Sequence, residues 1–359
     1  MKKLLVLAAL TAAAAPAMAS KARMTALGNS VHLIDTQTVF VNTADVHYLG
    51  DFATLEFGSS ANNAGAGARA EGGFVRSSSM GKWGAYLGRQ SSTVNTFVST
   101  SNTAIANIPG APANALLTEQ NTLDLFYGTE LAGQKWGFGV HHSAAKLESS
   151  SQEVSTLGIS AGVRNDVWDA YARLGLGGET KNTSVAGTTL ELKQKGLIDV
   201  GFGYWFDTLY VSAKYLTTKG TLTTGTTETD SEKNNIALNV VDNVKVEGGN
   251  FFYGAGFVTD ESKNGNNKVT NTNLPVIVGM ELDAASWLVL RGSITQNVLM
   301  GEKKNDPGAT DKMANNTTVA AGAGIKFGKL MLDGTLAGSS NGDINGNTLL
   351  ANSSLTYTF

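Results

Sequence analysis

The chain has 359 residues, 27 basic and 30 acidic, for a formal charge of −3, so no basic surplus suits it to nucleic acid. Charged residues are only 16% of the chain, below the share of about 25% usual in soluble domains. Cysteine is absent, which excludes disulfide frameworks, thiolate metal sites and an acylated cysteine anchor.

The first element in chain order is a leader. Lys2 and Lys3, the apolar run from Leu4 to Leu10 and the closing Ala17-Met18-Ala19 have the layout of a secretory signal peptide with an A-x-A cleavage site. Residues 1–19 are therefore expected to be removed, leaving Ser20 as the first residue of a mature chain of charge −5 after the loss of Lys2 and Lys3. Residues 20–50 follow as a separate segment, with a short helix expected over 21–28 and an extended stretch over 31–41. After the leader no run of 18 apolar residues occurs, so spanning helices are excluded.

From 51 to 359 the chain alternates apolar and polar residues in segments of about ten. These come in pairs joined by very short turns: 122–131 with 135–143, 157–163 with 167–177, 197–206 with 209–216, 274–282 with 287–295, and 319–327 with 330–337. Longer polar stretches are expected as loops at 91–120, 178–189, 217–233, 260–272, 301–316 and 339–347. Short turns at one end and long loops at the other describe an all-β fold, a transmembrane antiparallel up-and-down β-barrel of about 16 strands. The stretch 91–120 holds Pro109 and Pro112 and an apolar middle, so it is expected to enter the lumen, to pack on a neighbouring subunit, or to remain a surface loop.

Alternation also assigns the faces. In Ile198, Val200, Phe202, Tyr204 and Phe206 one face is wholly apolar, with Asp199, Gly201 and Gly203 opposite. The strand-interior charges Glu56, Asp124, Asp169, Arg173, Asp199, Lys214, Glu281, Arg291, Lys326 and Asp333 are too many for a small dry core. They are the candidate lumen-lining residues of a barrel wide enough for water. Glycines on the same face, such as Gly137, Gly139, Gly158 and Gly322, are expected to ease curvature and leave space. Trp83, Trp136, Trp168, Tyr204, Phe206 and Phe327 sit beside the short turns, where an interfacial aromatic girdle belongs.

The last strand carries the sharpest motif. Leu355, Tyr357 and Phe359 share one face and Phe359 is terminal. This resembles the terminal assembly signal of bacterial outer-membrane proteins, and the resemblance gives Leu355, Tyr357 and Phe359 that role. It implies the outer membrane as location, with outer-membrane lipid, the barrel-assembly machinery and periplasmic chaperones as partners. The chain-wide pattern is similar to outer-membrane porins, often homotrimers, and to the major porin-like outer-membrane proteins of predatory bacteria related to Bdellovibrio. Ala26-Leu27-Gly28 with Thr38-Val39-Phe40-Val41-Asn42-Thr43-Ala44 resembles the amino-terminal plug of long-chain fatty-acid transporters, which show Asn-Pro-Ala where this chain has Asn42-Thr43-Ala44. That likeness implies a hatch in the lumen and hydrophobic substrates.

Motifs for catalysis, cofactors or metals are nearly absent. His141-His142-Ser143 is the tempting cluster, but neighbours on a strand face opposite sides, so the two histidines cannot share a site. The expectation is a non-enzymatic porin, a water-filled channel for small hydrophilic solutes and ions. The alternatives are a plugged barrel for hydrophobic solutes and a structural or adhesion barrel.

Overall fold

The computed structural model describes residues 20–58, 69–106, 115–184, 188–298, 302–306, 310–312, 317–340 and 350–359. The leader expected over 1–19, and parts of the loops expected at 91–120, 178–189, 301–316 and 339–347, lie outside them.

Nineteen strands form one antiparallel sheet. They are β1 (Phe52–Gly58), β2 (Arg69–Ser78), β3 (Gly81–Leu87), β4 (Leu123–Leu131), β5 (Gln134–Leu147), β6 (Gln152–Arg164), β7 (Trp168–Asn182) and β8 (Leu190–Phe206). Then come β9 (Leu209–Thr224), β10 (Thr227–Val246), β11 (Gly249–Asn264), β12 (Asn267–Asn273), β13 (Pro275–Ala285) and β14 (Leu288–Asn297). The chain ends with β15 (Glu302–Asp306), β16 (Thr310–Lys312), β17 (Thr317–Phe327), β18 (Leu330–Ser340) and β19 (Leu350–Thr358). Strands β12, β15 and β16 prolong β13, β14 and β17 at one rim, so the wall has 16 staves. Strand β1 pairs with β19 from Phe52↔Thr358 to Gly58↔Asn352, which closes the sheet and leaves no edge.

The alternation places apolar side chains outside and charges inside. Ile198 is 45% exposed and Phe202 50%, while Asp199 between them is fully buried. That polarity is the reverse of a soluble barrel and fits one whose outer band faces hydrocarbon. Beside the short turns, Trp136 stacks near Phe138, and Tyr204 meets Phe206 at 4.5 Å. The turn residues Asp207 (φ 58°) and Gly328 (φ 61°) adopt the left-handed conformation that two-residue hairpins demand.

Two expected loops are corrected. Residues 217–233 and 260–272 are mostly strand: β9 and β10 run to Thr224 and from Thr227, and β11 and β12 meet across Gly265. These stretches are polar because they rise beyond the apolar band, where both faces meet water. Strand β10 has 20 residues, about twice the 9–11 that span a bilayer.

Phe359 donates its backbone N–H to the Asp51 carbonyl at 3.0 Å, lies 5.4 Å from the Tyr357 ring and sits under the Arg76 guanidinium. Leu355, Tyr357 and Phe359 are all exposed on the outer face. Deleting Phe359 is expected to lower the amount of folded barrel in the membrane, read as heat-modifiable migration on gels. Normal amounts of folded barrel in that variant would show that the residue has no part in closure.

Candidate functional site

Residues 20–50, expected as a separate segment, lie inside the barrel against its inner wall. Helix α1 (Lys21–Ala26) is capped by the Ser20 hydroxyl, and two short 3-10 turns follow at Thr38–Phe40 and Thr43–His47. Apolar residues of this plug find apolar floors: Leu27 packs with Val241 and Phe252, and Val39, Val46 and Leu49 pack with Phe52, Val75, Tyr86 and Phe126. Luminal glycines mark the seats. A Cβ on Gly137 would lie 2.2 Å from the Thr43 carbonyl carbon, and one on Gly162 only 2.0 Å from Asn42 Oδ1. Several of these glycines thus admit the plug backbone, not free volume.

Charges then lock the plug. Arg23 donates from Nε and Nη2 to Glu281 Oε1 and Oε2 at 2.8 Å each, and from Nη1 to Asp35 at 3.1 Å. Arg291 joins Glu281 at 2.7 Å and also pairs with Asp333. Arg164 lies between Asp45 at 2.7 Å and Asp169 at 3.3 Å. Lys21 pairs with Glu71, and Arg173 donates to the Phe40 carbonyl at 3.0 Å. Removing one partner of such a buried pair costs about 3–5 kcal/mol, so the plug is held from several sides. Within it, burial pushes the Asp35 carboxyl up to about 6 against the pull of Arg23. Burial, with the nearby Arg23 charge, pushes His32 down to about 4, so the imidazole is neutral at pH 7 between Trp205 and Phe252.

Above the plug, a second inserted piece narrows the lumen. Helix α2 (Ser92–Ile105) sends Phe97, Val98 and Ile105, with Leu116, against Leu190, Leu192 and Leu222 of the wall. Each such side chain contributes roughly 1.5–3 kcal/mol of burial. The segment is latched by Glu119. Its Oε1 faces His141 Nε2 at 2.9 Å and accepts from Thr156 at 2.6 Å, while Oε2 accepts from the Ser91 backbone at 2.5 Å. His141 Nδ1 lies 2.8 Å from Asp124. An imidazole between two carboxylates calls for a proton on each nitrogen. Glu119→Ala is expected to free the segment, with about 3 kcal/mol lost by analogy with broken buried pairs. Protease cutting within 91–120 of the folded barrel would report it, whereas equal resistance of variant and parent would remove the latch.

Between plug and helix α2 lies a cavity of about 120 Å³, lined by Phe40, Arg89, Val94, Glu119, Phe126 and His141 among others. Its far wall is irregular. Strand β7 carries an extra residue at Leu176 opposite Leu157/Gly158 of β6, and β8 carries one at Lys195 opposite β9. Between β7 and β8 the pairing stops at Gly175↔Leu197 and resumes at Gly178↔Gln194. Residues 176–177 and 195–196 are therefore unpaired with one another across β7 and β8, while Gly177 keeps its partner Leu157 on β6 and Gly196 its partner Lys219 on β9. On the outer face at this height is an open concavity where Leu157 and Leu176 meet Glu179, Glu191, Lys193 and Lys195. Thr156, Leu157 and Gln194 line both the inner cavity and the outer concavity. The wall between them bears glycine at 158, 175, 177, 178 and 196, and its β7–β8 ladder is interrupted there as a slot in the pairing.

The charges singled out in sequence fall in three groups. Glu56, Asp124, Asp169, Asp199, Arg291 and Asp333 are buried in the lumen. Glu281, Arg173 and Lys214 are partly buried there, the last two beside Asp199. Lys326 is at the short-turn rim, paired with Asp283 at 2.6 Å. What the alternation did not reveal are the plug charges Lys21, Arg23, Asp35 and Asp45, the latch residue Glu119, and the slot. A signal for the slot exists in retrospect: the apolar parity of Leu174 and Leu176 breaks at Gly177-Gly178, and Glu179 and Lys181 then take the outer face. His142 lines the outer concavity, and the Ser143 hydroxyl is bonded to the Gln120 backbone, not to His141.

No family model matches the chain, and no curated protein matches it. Among solved structures it is similar to a FadL homologue from Pseudomonas aeruginosa, at 10% identity over 96% of this chain and 99% of that one, with TM-score 0.46. It is also similar to a porin, at 11% identity over 86% and 99% with TM-score 0.40. A deletion mutant of TodX, a monoaromatic hydrocarbon channel, matches at 10% identity over 90% and 94% with TM-score 0.42. These are likenesses of fold. The chain's own topology makes it an outer-membrane-type β-barrel. Its distinguishing features are an occupied lumen and an interrupted wall.

Proposed function

We propose that this barrel is a transporter of small hydrophobic or amphipathic solutes in a bacterial outer membrane, not a general diffusion porin. Export by the leader and insertion through the assembly signal at Leu355, Tyr357 and Phe359 belong to the same proposal. The observation that carries it is the coincidence of a plug bonded to most of the staves with an interrupted β7–β8 ladder, the slot, beside the cavity between plug and helix α2. A hydrated ion has no use for a sideways exit toward lipid. An apolar body with a polar end does, because the outer concavity joins Leu157 and Leu176 to the charged collar of Glu179, Glu191 and Lys193. In this scheme the solute exchanges between cavity and membrane interface through the slot. Arg89, Glu119 and His141 hold its polar end, and Phe40 and Phe126 hold its body. No step needs a bond broken, and the protein acts as a carrier path, not a catalyst.

The test is a planar bilayer beside a liposome. The refolded mature protein is expected to show little steady ionic conductance while speeding entry of a fluorescent medium-chain fatty acid into liposomes. Steady ohmic conductance with no effect on the fatty acid would restore the open-porin reading.

A further inference from the structure

The charges around the start of the plug do not balance. Five carboxylates, Glu56, Glu71, Asp35, Glu281 and Asp333, form one connected cluster with four cations, Lys21, Arg23, Arg89 and Arg291. Glu56 is the acid left over. It is 1% exposed and, among the described residues, is held by neutral donors: the Lys21 backbone N–H at 2.8 Å, Gln37 Nε2 at 2.6 Å and the Tyr86 hydroxyl at 3.0 Å. A buried carboxylate without a counter-charge is costly. Ser20 lies at this spot, fully buried, with its hydroxyl 3.5 Å from Asp333 Oδ2. Ser20 thus touches Asp333 through its hydroxyl and immediately precedes the backbone N–H that Glu56 accepts.

We propose that cleavage between Ala19 and Ser20 creates the missing cation: the new α-ammonium of Ser20 docks in the barrel floor against Glu56 and Asp333 and completes plug closure. With the leader attached, that nitrogen is a neutral amide and offers Glu56 no cation to pair with. Leader removal is then a maturation step for the closed lumen as well as for export. An α-amino group has an ordinary pKa near 7.7–8.0, so the ion pair forms at neutral pH. The proposal rests on the plug and its charges, and it is independent of which solute crosses the wall.

The test uses the mature protein purified from membranes, with its amino terminus read by mass spectrometry. Periodate oxidises an amino-terminal serine to an aldehyde only when its amino alcohol is accessible. In the folded barrel oxidation is expected to be slower by about a hundredfold or more than in the denatured chain, because a buried terminus reacts through local opening alone. A second arm refolds the chain beginning at Ser20 with its α-amine acetylated. This chain is expected to leak ions where the free-amine chain is silent, and Glu56→Gln, which removes the excess acid, is expected to silence the acetylated chain again. A mature terminus other than Ser20, or equal oxidation of folded and denatured protein, would overturn the proposal. Should the acetylated chain fail to fold, the oxidation rates of the unmodified protein decide.

Discussion

Deleting residues 21–49 is expected to turn a silent barrel into a steadily conducting one. A closed barrel of 16 staves is wide enough for an aqueous channel once its contents are removed. The contents here are mainly the plug, which meets nearly every stave: Glu56 of β1, Glu71 of β2, Arg164 of β6, Phe252 of β11, Glu281 of β13 and Asp333 of β18 among them. The staves pair with one another without the plug's help, so the wall is expected to survive its loss. The luminal carboxylates left behind gain water in place of Arg23 and Lys21. Arg23→Met is a milder version. It strands Asp35 and leaves Glu281 to Arg291 alone, at about 3–5 kcal/mol for a broken buried pair, and should give intermittent openings in place of a constant pore. Should the deletion variant fold and stay silent, helix α2 and its segment are the true closure, and the plug is secondary.

Filling the slot is expected to stop solute exchange and leave the barrel otherwise unchanged. Gly177 and Gly196 suit this test because a Cβ at either position would meet nothing within 4 Å. Gly177→Trp and Gly196→Trp therefore add bulk at the interrupted ladder from a Cβ set in open space, and neither residue has a positive φ to strain. Entry of a fluorescent medium-chain fatty acid into liposomes should fall roughly tenfold, the effect of an added barrier of about 1.4 kcal/mol. Thermal unfolding and ionic silence should stay at parent values. Unchanged uptake in the double variant would sink the sideways route and leave the plug as the only path.

Much of the wall was legible along the chain, for a physical reason. A membrane strand must carry apolar residues on every second position because lipid touches one whole face, and Ile198 to Phe206 or Leu330 to Leu336 show that without any tertiary knowledge. The strand number and the rim of short turns follow from the same repetition. The extent of β9 to β12 was not legible, since 217–233 and 260–272 are polar on both faces once they leave the apolar band. Candidate charges were placed by parity, yet their use was not: Asp199 and Asp333 read as channel lining and prove to be bonded to Arg173 and Arg291.

Sequence alone determined which face of each strand meets lipid, how the last strand ends and that the barrel is large, because these depend on neighbours one or two residues apart. Only the tertiary structure decided what fills the barrel. Arg23 meets Glu281 across 258 residues, and His141 meets Glu119 and Asp124 from the wall and from an inserted segment. Such pairings depend on closure of the sheet, which brings the first and last strands together at Phe52↔Thr358 and sets the lumen's width. The slot likewise needs two extra residues, Leu176 and Lys195, to fall at one height on adjacent strands. That coincidence of register exists only after the strands have paired.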